Sequence, residues 1–203
     1  MVKQILFSSG YDSVMVAHQL CESTSRDEEI KLILIDHQNL GDNQYKLQLK
    51  KAIQFVKEMQ KTNTINLYKI RVKGDLDSNA EEGWSQQLWW VLYSMDYIEG
   101  NSEIFYGYHT GDQFWTIERE VEEISRCVKK IRGIDFEVKY PLRMKEKDTI
   151  IGYIQENNLE KFCITCEDPV KDKPCEKCNK CIELNVYKYK MKLEKKLKIE
   201  KPL

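Results

Sequence analysis

Residues 4–17 read QILFSSGYDSVMVA, and this stretch decides the fold. An apolar run, Gln4–Phe7, leads into the polar turn Ser8-Ser9-Gly10-Tyr11-Asp12-Ser13 and then directly into a helix-like segment, Asp12–Glu22, with Val14, Ala17, His18 and Cys21 on one side. A strand, a tight turn with glycine and a helix N-terminus make an anion site, because free backbone N–H groups and the positive end of the helix dipole face the turn. Ser8, Ser9 and Ser13 add hydroxyl donors. Asp12 would repel a phosphate unless a divalent cation lay between them, which is how Mg²⁺ joins a carboxylate to a nucleotide. The competing reading is a simple N-cap with no ligand. The pattern G-x-x-x-x-G-K-[ST] is absent, which excludes a P-loop kinase or GTPase.

Working outward, strands and helices alternate. Lys31–Ile35 is apolar and β-branched at consecutive positions, as a strand buried on both faces should be. Asn43–Lys61 is helical, with Leu47, Ala52, Phe55, Val56 and Met59 near a 3.6 period. Ile65–Val72 reads as a strand and Glu82–Tyr97 as a helix rich in aromatics. Glu103–Tyr106 and Phe136–Lys139 read as strands, Gln113–Lys130 and Asp148–Asn157 as helices. Single helices between strands predict βαβ units and a doubly wound parallel sheet, an α/β fold whose ligands bind at the carboxyl ends of the strands. The loops after Phe7, Ile35 and Tyr106 are therefore the expected places for chemistry.

After Phe162 the pattern changes. Five of the seven cysteines fall between 163 and 181, and Cys166, Cys175, Cys178 and Cys181 read C-x8-C-x2-C-x2-C. Such spacing brings thiolates onto one metal, zinc in a structural knuckle or iron in an iron–sulfur cluster; Cys163 is a fifth candidate that could replace Cys166. The expected division is residues 1–162 as the sheet domain and 163–203 as a metal-binding knuckle with a lysine-rich C-terminal helix. Cys21 and Cys127 are expected as small buried hydrophobes.

Composition narrows the class. With 41% apolar and 32% charged residues the 203-residue chain is globular rather than disordered. No apolar run approaches the roughly 20 residues of a membrane span, and the N-terminus shows no secretory pattern, so a cytoplasmic protein is expected. Residues 185–203 hold seven lysines against two glutamates, leaving −6 for the rest of a chain whose net charge is −1. That balance argues against a nucleic-acid binder; the tail is expected as a solvated helix face.

The turn resembles the S-G-G-x-D-S signature of the PP-loop ATP pyrophosphatases, with Ser8, Gly10, Asp12 and Ser13 matching and Ser9 in place of the first glycine. Together with the C-terminal cysteines, it resembles the 7-cyano-7-deazaguanine synthase family over residues 4 to about 184. Gly107-Tyr108-His109-Thr110-Gly111-Asp112 resembles that family's G-x-N-x-x-D, with His109 for Asn, and Lys147 with Ile150 resembles its K-x-x-I. The family's R-N pair falls on Trp84-Ser85, and its Y-P-D-C-R segment is missing at Trp115–Arg119.

The resemblance implies an ATP-dependent ligase. It would adenylate a 7-carboxy-7-deazaguanine-like acid and convert it with ammonia to a nitrile, releasing AMP and pyrophosphate. Asp12 and Asp112 would hold Mg²⁺, Lys147 would neutralise the β/γ-phosphates, and Ser8, Ser9, Gly10, Tyr11, Ser13 and Gly107 would line the nucleotide site. Asp36 would touch ribose or base, and the cysteines would hold Zn²⁺. Trp84, Trp89, Trp90, Phe114 and Trp115 are candidates to stack on a planar base. A homodimer is possible, through the aromatic helix; neither a membrane nor nucleic acid is required. Two other readings stand: a diverged relative adenylating another acceptor (a nucleic-acid base or a protein, in phage DNA modification or antiphage defence), and a non-catalytic zinc-containing binding module.

Overall fold

The computed structural model describes residues 2–37, 42–72, 86–170 and 173–199. Five strands, β1 (Val2–Leu6), β2 (Glu29–His37), β3 (Thr64–Val72), β4 (Ser102–Phe105) and β5 (Phe136–Lys139), form one sheet in the order β3-β2-β1-β4-β5. All four pairings are parallel. The chain moves outward from β1 through β2 to β3, then returns to the other side of β1 for β4. The strand order therefore reverses between β1 and β4, where the ends of two neighbouring strands diverge and leave a crevice.

Helices α1 (Tyr11–Ser23), α2 (Asp42–Met59) and α5 (Lys147–Glu156) supply one side of the core, and α3 (Gln86–Asp96) and α4 (Glu118–Arg132) the other. The strands show why two-sided burial gives unbroken apolar runs. In β2, Leu32 and Leu34 pack with α1 and α2, whereas Ile33 and Ile35 pack towards Trp90 and Tyr93 of α3. At β4, Ile104 and Tyr106 face α3 and α4 while Phe105 faces the opposite layer.

Two expectations need correction. The helix expected over 113–130 is divided into a 3-10 turn, Gln113–Thr116, and α4, with Ile117 between them outside helical geometry (φ −121°, ψ 10°). Tertiary packing makes the break. Phe114 is fully buried and stacks on Tyr108 at 3.9 Å between ring centroids, and the Trp115 indole N–H donates to the His109 carbonyl at 2.7 Å. Cys127 is exposed, not buried, because α4 turns Val121 and Ser125 inward and carries Cys127 off that face. In the helix expected over 82–97, residues 82–85 lie outside the described set, as do Trp84 and Ser85 with them.

The cysteine segment packs on the sheet domain. The Ile164 N–H donates to the Ser9 carbonyl at 2.7 Å, and Ile164, Cys166 and Cys181 share an apolar cluster with Leu47. Helix α6 (Asn179–Ile199) then lies along the body through Leu184, Tyr187 and Met191. Among the described residues no helix is long and apolar enough to cross a membrane.

Candidate functional site

The turn after β1 is held by its own serines. The Ser13 hydroxyl accepts the Ser8 N–H at 3.2 Å and donates to the Gly10 carbonyl at 3.1 Å, while the Gly10 N–H donates to Ser8 Oγ at 3.3 Å. Gly10 is the N-cap residue of α1, and no side chain caps the helix there. The simple capping reading therefore fails, and the first-turn N–H groups remain available to an anion. Ser9 sits at φ 56°, in the left-handed region that favours glycine. Its hydroxyl does not face the cleft: Ser9 is fully buried, and Oγ donates to the Gln48 carbonyl at 2.9 Å.

Gly107, just past β4, lies against the start of α1. A Cβ there would come within 3.2 Å of the Asp12 carbonyl carbon and the Ser13 nitrogen. A side chain there would push the two strand-end loops apart by a few tenths of an ångström, so glycine suits this close approach.

Three charged side chains meet at this crossing. Lys147, the first residue of α5, reaches Asp12, with Nζ 2.6 Å from Oδ2. The other oxygen, Asp12 Oδ1, is buried without a partner, which is rare for a buried polar atom. Asp112 Oδ2 accepts the His109 N–H at 2.6 Å, and Oδ1 lies 3.6 Å from His109 Nε2. Burial first, and then the nearby Asp12 charge, push the Asp112 carboxyl above its ordinary range, against the pull of His109 and Lys147. Two carboxylates converging with one unpaired oxygen fit a divalent cation, and the uncapped helix end beside them fits a polyphosphate.

These groups open into a cleft of about 670 Å³ at the carboxyl ends of β1, β2 and β4, a size that holds a nucleotide-scale ligand. Ser8, Gly10, Tyr11, Asp12, Ser13, Gly107, Asp112 and Lys147 line it. Asp36 does not; its Oδ2 accepts from Arg71 Nε at 3.0 Å. Sequence reading missed the far wall, formed by Ile164, Thr165 and Glu167 with Lys180, Glu183, Leu184 and Tyr187 of α6. The spacing of Leu184, Tyr187 and Met191 was the available signal for that wall. It also missed Gln87 of α3, whose Oε1 is buried without a partner, and Tyr108, whose hydroxyl is likewise orphaned; both residues line the cleft.

The four cysteines of the C-x8-C-x2-C-x2-C run come together, their sulfurs all within 4.8 Å of one another. The Cys175 N–H donates to Cys166 Sγ at 3.2 Å and the Cys178 N–H to Cys175 Sγ at 3.3 Å, while burial above all raises the thiols of Cys166 and, to about 12, of Cys181. Burial works to raise the Cys178 thiol, but backbone N–H groups of Glu167 and Cys181 and the neighbouring thiols outweigh it and draw it down to about 6. Cys163 stands outside the quartet. It is buried, donates to the Leu159 carbonyl at 3.5 Å, and is kept protonated by burial and by the charges of Glu160 and Asp12.

No family model matches the chain, and no curated protein does either. Solved structures do. The U34-tRNA thiolase NcsA from Methanococcus maripaludis, determined with its [4Fe-4S] cluster, is 14% identical with a TM-score of 0.54, over 97% of this chain and 67% of that one. A protein described as a subunit of tRNA methyltransferase from Methanocaldococcus jannaschii is 16% identical with a TM-score of 0.45, over 77% and 75%. The NH3-dependent NAD synthetase from Campylobacter jejuni is 15% identical with a TM-score of 0.45, over 99% and 78%. At 14% identity the likeness to the first of these is one of fold alone: an α/β parallel sheet, here with a C-terminal four-cysteine cluster that could bind zinc.

Proposed function

We propose that the chain is an ATP-dependent ligase that adenylates a carboxylate in this cleft and, with ammonia, converts a 7-carboxy-7-deazaguanine-like acid to its nitrile. The observation that carries the ATP site is the meeting of Lys147, Asp12 with its orphaned Oδ1, and Asp112 at an uncapped helix N-terminus. ATP lies with its phosphates on the Ser8–Ser13 turn, where backbone N–H groups and serine hydroxyls cradle them. Asp12 and Asp112 would hold Mg²⁺, which would neutralise triphosphate charge. Lys147 adds a fixed positive charge where pyrophosphate leaves.

In the first step a carboxylate oxygen attacks the α-phosphorus, the bond to the β-phosphate bridge breaks, and pyrophosphate departs. Ammonia then attacks the acyl carbon, losing a proton, and AMP leaves with the first carboxylate oxygen to give the amide. The amide oxygen then attacks the α-phosphorus of a second ATP, releasing a second pyrophosphate; the nitrogen gives up its two protons as AMP leaves with that oxygen, and the nitrile forms. Gln87 and Tyr108, each with an orphaned polar atom, and Trp90 line the same cleft and suit a planar heterocycle with N–H and carbonyl edges.

For the cysteines a single zinc ion fits best. Tetrahedral thiolates at about 2.3 Å from the metal lie about 3.8 Å apart, and sulfurs within 4.8 Å are close to that. A four-iron cube binds each thiolate to a different iron and holds them farther apart. Sulfur transfer is disfavoured by the protonated, buried state of Cys163, the thiol nearest the turn.

The test is mass spectrometry of the purified protein with ATP, Mg²⁺, ammonium and 7-carboxy-7-deazaguanine. Nitrile with matching AMP is the expected result. AMP or bound ATP without nitrile would overturn the acceptor and keep the adenylating site; absence of both ATP binding and turnover would overturn the reading entirely.

A further inference from the structure

Helix α6 has two apolar faces. Leu184, Tyr187 and Met191 pack on the body, whereas Ile182, Val186, Tyr189 and Leu193 are between 43% and 66% exposed. At about 100° per residue the second set falls in one narrow stripe directly opposite the first. Its spacing of four, three and four residues is the seam of a coiled coil, whose natural complement is another such seam. Four of the ten large exposed hydrophobics among the described residues lie in this single stripe, so scattered surface exposure does not account for it.

We infer that this stripe is the interface between two copies of the chain, paired antiparallel through α6. Charge complementarity selects both the partner and the direction. In an antiparallel pair with Val186 layered on the partner's Tyr189, and Ile182 on the partner's Leu193, the seam is self-complementary under a two-fold axis. The flanking Glu183 then faces the partner's Lys190, twice by symmetry. Both side chains are about half exposed, at 48% and 58%, and their ion pairs among the described residues are long, 3.8 and 3.7 Å to Lys180 and Asp148. A parallel pair would lose both Glu183–Lys190 contacts and set the two lysine-rich ends side by side. A seam of two heptads is short, but α6 is already held as a helix by its inner face, so pairing carries no helix-forming penalty.

The experiment is light scattering coupled to size separation on the full chain across a concentration series. The expected mass is about twice 24.1 kDa, with Val186→Glu and Tyr189→Glu each giving monomer at unchanged melting temperature, since both positions are solvent-facing. Glu183→Lys and Lys190→Glu singly should raise the dimer dissociation constant about threefold to tenfold, and the double exchange should restore it. A wild-type monomer at every concentration overturns the interface. So does a dimer indifferent to Val186→Glu and Tyr189→Glu, and failure of the double exchange to rescue overturns the antiparallel pairing. None of these readouts depends on the ligase reading.

Discussion

Lys147 Nζ lies 2.6 Å from Asp12 Oδ2, joining the first turn of α5 to the first turn of α1 across 135 residues of chain. The contact occupies one carboxylate oxygen and leaves the other, Oδ1, buried and unpaired. A buried carboxylate oxygen left without a partner is rare in a pair that serves structure alone. This one holds Asp12 in place while keeping an acceptor free at the crossing of two strand-end loops.

Asp12→Asn should therefore lose pyrophosphate release by about 10²- to 10³-fold, the range for removing one group that stabilises developing charge, while the protein stays folded. Lys147→Met should lose a similar amount. The two losses should not add in the double variant, because the residues share one interaction. Pyrophosphate release assays beside thermal melts decide it. Full activity in Asp12→Asn would remove this carboxylate from the site.

Ser9 is the position where the turn departs from the S-G-G-x-D-S pattern it resembles, and its φ of 56° gives the physical reason why glycine suits it. A non-glycine residue there carries about 1–2 kcal/mol of strain. The Ser9 hydroxyl bond to the Gln48 carbonyl returns about 0.5–1.5 kcal/mol. Ser9→Gly removes both, so chemical denaturation should place it within about 1 kcal/mol of the wild type. Ser9→Val keeps the strain, adds β-branching and loses the bond, and should be clearly destabilised. A strongly destabilised Ser9→Gly would show that the hydroxyl outweighs the backbone term.

What could be read from the sequence follows from which forces are local. The run Leu32–Ile35 announces a two-sided strand because both faces are covered by helices. The turn at Ser8–Ser13 announces an anion site because its chemistry lies in six consecutive residues. Asp112 and Lys147 could be named from short motifs, but their meeting with Asp12 is a product of strand order, which no local pattern carries. The break before α4 was hidden for the same reason: Phe114 leaves the helix to stack on Tyr108. Helix α6 as a cleft wall was masked by its lysines, which read as a solvated face although Leu184 and Tyr187 point inward.

Asp112 should show a conflict between function and stability. Burial and the Asp12 charge raise its carboxyl above the ordinary value of 3.8, so the folded state holds the proton more tightly than the unfolded one. The ionised form then opposes folding, and stability falls as pH rises through the raised value. Asp112→Asn keeps an acceptor for the His109 N–H and removes the charge. Without added Mg²⁺ it should melt higher than the wild type at neutral pH, the gain shrinking as pH falls towards 3.8, while ATP turnover drops about 10²-fold. A lower melting temperature at neutral pH would show that the Asp112 charge is stabilised by its surroundings.

The cysteine quartet should act on the nucleotide site from a distance. Cys181 is in the first turn of α6, and Lys180, Glu183, Leu184 and Tyr187 follow it along the cleft wall. The Tyr11 hydroxyl of the turn and Lys188 of α6 both bond Glu160, at 3.3 and 2.6 Å, so the helix is tied to the turn after β1 as well. Cys178→Ser should lose the bound metal by elemental analysis, lower the melting temperature, and weaken ATP binding about tenfold or more, equivalent to about 1.4 kcal/mol. Lys188→Met, which cuts the Glu160 tie and leaves the thiols intact, should keep the metal and weaken ATP binding to a smaller degree. If Cys178→Ser loses its metal and binds ATP unchanged, α6 holds the cleft without help from the cysteines, through Leu184, Tyr187 and Met191 alone.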